Sequence, residues 1–229
     1  MIPASVKLVR IQALSGVAFA VFLSLHLANT AAAIISAGSY DAFQSVARSF
    51  YQQVMVEIVL VLGALILHIL ASLELARRRK RVRASVELRL HRYSGYFLVA
   101  VVFVHAMATR GAALFQGVHV AAQYVGFTLV TWPVIFFPYY ALLFAAGACH
   151  LFIGLRLALG RLGVRWATSM KRSIVRVGLV ATLGLGLLGL AALGGKIRPL
   201  ALSERSAYER YFESFLPVGL LPWRSTKSR

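Results

Sequence analysis

Apolar residues dominate the chain in long runs, and short segments rich in arginine separate them. At a helical rise of about 1.5 Å per residue, a hydrocarbon core of about 30 Å needs some twenty consecutive apolar residues. Five runs meet that length, at 9–36, 52–77, 91–113, 133–159 and 171–194, and they predict spans I to V. Span I is longer than the apolar core of a cleavable signal peptide and carries a histidine, so it is expected to remain as a membrane helix. Pro138 falls inside span IV, where neighbouring helices can satisfy the carbonyl it frees. Residues 114–132 read as a moderately apolar loop. In the tail, 195–229, the stretch from Ser203 to Phe212 reads as a short amphipathic helix along the membrane interface. The expected fold is an all-α integral membrane protein, with residues 1–229 forming a single membrane domain.

Composition narrows the class. Of 229 residues 59% are hydrophobic and 14% charged, against about 25% charged in soluble domains, and the mean hydropathy is +0.75. The net charge of +18 would suggest nucleic acid if it covered a soluble face, but the basic residues lie between apolar runs. Sixteen of them fall before span I, between II and III, or between IV and V, while the opposite loops hold only Arg48 and Arg110. Because cytoplasmic loops carry the excess of lysine and arginine, the N-terminus is expected inside and the C-terminus outside. A single cysteine, Cys149, excludes an intramolecular disulfide, a CxxC pair and a cysteine-ligated cluster within the chain.

An internal repeat is written into the spans. Ser15-Gly16 precedes His26 by ten residues from the glycine, and Ser94-Gly95 precedes His105 by the same ten. His26 to His105 is an offset of 79, and His68 to His150 one of 82. Both halves start on the same side, so the repeat is parallel, about an axis normal to the membrane.

Ionisable groups inside spans are rare and by default functional. His68 and His150 lie nine and six residues before Arg77 and Arg156, roughly 9–14 Å from the inner charges; His26 and His105 lie sixteen and thirteen beyond Arg10 and Arg92, at about 20–24 Å. Two layers result, each with two histidines on different helices. A zinc or copper site would gather three or four ligands at one depth, whereas a bis-histidine haem takes one imidazole from each side. Two layers therefore predict two b haems in a four-helix bundle of spans I–IV, with iron ligands His68 and His150 in the inner layer and His26 and His105 in the outer. Arg10 and Arg92, near the starts of spans I and III, and His91 are candidate propionate contacts. His119, in the outer loop, is expected to be solvated.

These residues resemble a family. The four histidines, Gln12-x-x-Ser15-Gly16, and Trp132-Pro133 leading to His150-x-x-x-Gly154-Leu155-Arg156 look like the dihaem cytochrome b subunit of succinate dehydrogenases and fumarate reductases. Tyr208-Glu209-Arg210-Tyr211-Phe212 is similar to the outer tail of some fumarate reductases. The resemblance implies a membrane subunit of a succinate:quinone oxidoreductase with no dicarboxylate site of its own. Flavoprotein and iron–sulfur subunits on the cytoplasmic face, membrane lipid around the spans, and a quinone substrate, with menaquinone expected, go with it. So does a bacterial cytoplasmic membrane. In that family His68 pairs with His150 near the iron–sulfur subunit and His26 with His105 at the distal haem. Where some members carry a proton-conducting glutamate, this chain has Ala148, and near the quinol site it has Tyr51 after Arg48-Ser49-Phe50. Succinate oxidation is thus favoured over fumarate reduction. Tyr51, Gln53 and Glu57, entering span II from the outer side, are the candidate quinone contacts. A cytochrome b anchor of a formate dehydrogenase or hydrogenase, and a haem-free transporter with proton-shuttling histidines, are the alternative readings.

Overall fold

A computed structural model describes residues 4–78, 84–169 and 171–225. The described residues form helices and connecting turns without a strand. Five helices are long and apolar enough to cross a membrane, and they correspond to spans I to V: α1 (Ala4–Ala32), α3 (Val54–Arg78), α4 (Val86–Gln116), α6 (Pro133–Arg161) and α8 (Arg172–Leu193). Most of their large apolar side chains face outward, as they must where lipid rather than water is the neighbour. Span I ends earlier than its apolar run, because the chain turns at 33–35 and starts a new helix. Part of the arginine-rich connection between II and III, Arg79, Lys80, Arg81 and Arg83, lies outside the described residues.

Two stretches expected as loops are helical. Residues 37–51 form α2 (Ala37–Tyr51), N-capped by the Ser36 hydroxyl, which accepts from the Ser39 amide. Within 114–132, the chain leaves α4 at Gly117 and re-enters helix as α5 (Ala122–Thr131). Its first amide, from Ala122, donates to the Asp41 carboxylate at 2.8 Å, so an acid on α2 starts α5. α7 (Arg165–Ser169) links α6 to α8.

The tail helix α9 (Arg205–Glu213) has the bounds expected within a residue or two, but it packs on protein. Tyr208 is 1% exposed and Phe212 is buried, in a cluster with Tyr124, Phe127 and Val120. The Tyr208 hydroxyl donates to the His119 carbonyl at 3.1 Å, and the Trp132 indole to the Leu220 carbonyl at 3.0 Å. The result is an aromatic cap over one end of the bundle, opposite the arginine-rich end. His119, expected to be free in solvent, faces Glu204 at 3.0 Å while remaining exposed.

The principal packing is α1 with α3, α1 with α6, and α4 with α6, while α8 lies against α6 and α1. α3 and α4 stand apart except near the cap end, and a cavity of about 490 Å³ lies within the bundle, lined by α1, α3, α4 and α6. Two π-turns interrupt the helices bordering it, Glu57–Gly63 in α3 and Met107–Gly111 in α4. Such widened turns re-aim side chains and concentrate at functional sites.

Candidate functional site

The cavity brings His26, His68, His91, His105 and His150 to one lining. Toward the arginine-rich end, the His68 and His150 rings stand 6.0 Å apart between centroids, at 86°. Toward the cap, His26 and His105 stand 5.9 Å apart at 74°. Each pair joins one helix of the α1–α3 half to one of the α4–α6 half.

The backbone holds both rings of the first pair in the same way. His68 Nδ1 donates to the Gln12 carbonyl at 3.0 Å, and His150 Nδ1 to the His91 carbonyl at 3.0 Å. Since a carbonyl only accepts, Nδ1 carries the proton and the Nε2 lone pair is left for another partner. Gly16 and Gly95 make the approach possible: a Cβ at either position would stand 2.9 Å from His68 Cε1 or 2.8 Å from His150 Cε1. The carbonyl acceptors, Gln12 and His91, and the glycine cradles, Gly16 and Gly95, both recur at the 79-residue offset. In the second pair, His105 Nδ1 lies 3.4 Å from the Tyr139 hydroxyl, and Phe22 stacks on His26.

His91 is not an interfacial bystander. Its ring stacks on His150 with centroids 4.1 Å apart and planes 18° apart, in room that Gly154 leaves open. Its Nδ1 is buried with no hydrogen-bond partner among the described residues. Arg92 lines the cavity with a buried Nε that likewise has no partner among them. Arg10 does not join this group. The 79-residue offset relates Arg10 to Arg89, both exposed, whereas Arg92 corresponds to buried Ala13. Arg161 reaches the cavity instead, donating to the Gln12 side-chain oxygen at 2.8 Å.

At the cap end, Tyr51 and Glu57 line the cavity and Gln53 does not. Gln53 is exposed and its amide donates back to the Ser49 carbonyl at 3.1 Å. The helix breaks at Gln52 and Gln53, so the 100° step from Tyr51 that would set its direction does not apply. Glu57, opening one π-turn, forms a two-pronged ion pair of 2.7 and 2.7 Å with Arg110 in the other. The Tyr51 ring meets Phe22 edge-on at 5.0 Å. Burial holds its phenol above its ordinary pKa, against the pull of Arg48 and Arg110, so it remains an O–H donor at physiological pH. Arg48 and Arg110 went unassigned in the sequence. Their signal was present, as the only basic residues between spans I and II and between spans III and IV, but it reads equally as topology.

No group of three or more metal-ligating side chains occurs among the described residues, which leaves the histidine pairs as the ligand sets available. A metal held in line between two imidazole nitrogens at about 2 Å from each sets the ring centroids about 6 Å apart. Both pairs have that spacing. No protein-family model matches the chain, and neither a curated protein nor a solved structure matches it. The described residues form helices, five of them of membrane-spanning length, around a histidine-lined cavity.

Proposed function

We propose that the chain is a dihaem cytochrome b that anchors a succinate:quinone oxidoreductase in a bacterial cytoplasmic membrane, N-terminus inside, and relays electrons between iron–sulfur clusters and quinone. The observation that carries the reading is the pair of histidine layers at 6.0 and 5.9 Å in one cavity. The matching carbonyl and glycine contacts support a parallel repeat, in which His68 and His150 hold the inner haem and His26 and His105 the outer. The orphaned nitrogens of His91 and Arg92 suit carboxylates at the inner haem's edge. Succinate as the substrate of the complex rests on the family resemblance.

Bound between the imidazoles, haem supplies one-electron redox chemistry. The residues do the rest. The Gln12 and His91 carbonyls fix the tautomer of His68 and His150 and make their Nε2 better donors. The apolar wall excludes water and lowers the local dielectric. At the cap end, Tyr51 donates a hydrogen bond to a quinone oxygen, while the Glu57 carboxylate, held by Arg110, passes the proton. The arginine-rich face, beyond Arg77, Arg78 and Arg172, receives the iron–sulfur subunit.

A reduced-minus-oxidised spectrum of the purified chain tests this directly. Two low-spin b components are expected; His68→Ala and His150→Ala should each remove one, and His26→Ala and His105→Ala the other. A chain without haem would overturn the proposal in favour of a proton-shuttling transporter. Loss of the same component in His26→Ala and His68→Ala would overturn the pairing.

A further inference from the structure

Arg48 stands at the cap end of the cavity without an ion-pair partner among the described residues. Its Nη2 donates to the Val120 carbonyl at 2.8 Å, but its Nε is buried with no hydrogen-bond partner among the described residues. The acids nearby are committed elsewhere: Asp41 accepts from the Ala122 amide, and Glu57 is held in both prongs by Arg110. Five ionised side chains line the cavity, Arg48, Arg92, Arg110, Arg161 and Glu57, four cations against one anion. An unpaired guanidinium in a low-dielectric wall is costly, and the fitting partner is a planar carboxylate that takes two N–H donors side by side.

Arg48 shares the cap end of the cavity with His26, so the carboxylate belongs to whatever lies between His26 and His105. Between the two histidine layers the lining is apolar, with Ala20, Leu23, Leu65, Leu98 and Val102. Carboxylates have no host in the middle and an orphaned arginine at either end, Arg48 at the cap and Arg92 at the other.

On the haem reading above, we infer that Arg48 binds a propionate of the outer haem, at the opposite end of the cavity from Arg92. Arg48 is thus an anchoring residue for the outer haem, and its charge raises that haem's reduction potential.

The test uses the full chain in membranes or detergent, with haem content and potentiometric titration of each component as readouts. His26→Ala identifies the outer component. Arg48→Gln should weaken retention of that component by roughly tenfold or more, the effect of losing a charge-assisted hydrogen bond, and lower its midpoint potential. The component lost in His68→Ala should be unchanged, and Arg48→Lys should recover part of the effect. In chains reconstituted with haem whose propionates are esterified, wild type and Arg48→Gln should retain the outer haem equally. An unchanged outer component in Arg48→Gln, or a shift of the inner one, overturns the inference while leaving the dihaem reading intact. A wild-type chain with no haem overturns both. Should Arg48→Gln unfold the chain, Arg48→Lys decides: retention no better than in a chain lacking the outer haem is the overturning result.

Discussion

Single residues in this chain act by what they leave room for. Gly16 and Gly95 are legible in sequence as small residues in a repeat, but close helix packing recruits the same residues, and only the structure shows that each faces the ring of a histidine on the next helix. Alanine at either should force the ring off its carbonyl, at about 1–3 kcal/mol for an overpacked methyl. The expected outcome is a lower thermal midpoint and partial loss of the inner haem component in Gly16→Ala and Gly95→Ala. Gly147→Ala serves as the control, since its added methyl meets nothing closer than Leu27 Cδ2 at 3.6 Å. An equal loss in all three variants would count against the cradle. The histidines were readable from sequence because ionisable groups in apolar runs stand out; Arg48 and Arg110 were not, because an arginine beside a span has a topological explanation at hand. Arg10 does not reach the cavity, because the 79-residue offset pairs it with exposed Arg89 and not with Arg92.

At the scale of elements, the five spans were legible because length and apolarity suffice to specify them. α2 and α5 were not: each is shorter than a span, and each owes its start to one local contact, the Ser36 hydroxyl or the Asp41 carboxylate. The π-turns leave no hydrophobic pattern at all, yet they carry Glu57 and Arg110 to one ion pair. With side chains 21% and 35% exposed, the pair lies between surface and buried cases. Removing one partner should cost on the order of 1–2 kcal/mol. Glu57→Gln and Arg110→Gln are each expected to destabilise by about that amount, and the double variant by less than the sum, as a double-mutant cycle on thermal or denaturant unfolding would read out. Strict additivity would mean that this pair does not couple the two π-turns energetically. Glu57→Gln should also slow quinone turnover without altering haem content.

For the molecule as a whole, five spans with the basic loops at one end place the cap and the tail at the other. A reporter fused after Arg229 is expected outside the cytoplasmic membrane, and cytoplasmic activity there would contradict the proposed orientation.

The gap between α3 and α4 has a further consequence. The α1–α3 and α4–α6 halves meet chiefly through α1 and α6, the Glu57–Arg110 pair ties α3 to α4 at the cap end, and elsewhere the halves face each other across the cavity, with one histidine from each side in each layer. A ligand seated between those imidazoles joins the halves, and it stabilises the fold by mass action, by about 2.7 kcal/mol when present at a hundredfold its dissociation constant. On the proposed haem reading, cofactor supply becomes a checkpoint in biogenesis. In cells starved of haem the chain should be made at the usual rate and cleared faster by membrane proteases, and a pulse-chase of its half-life with and without haem synthesis would show abundance set by loading rather than by expression.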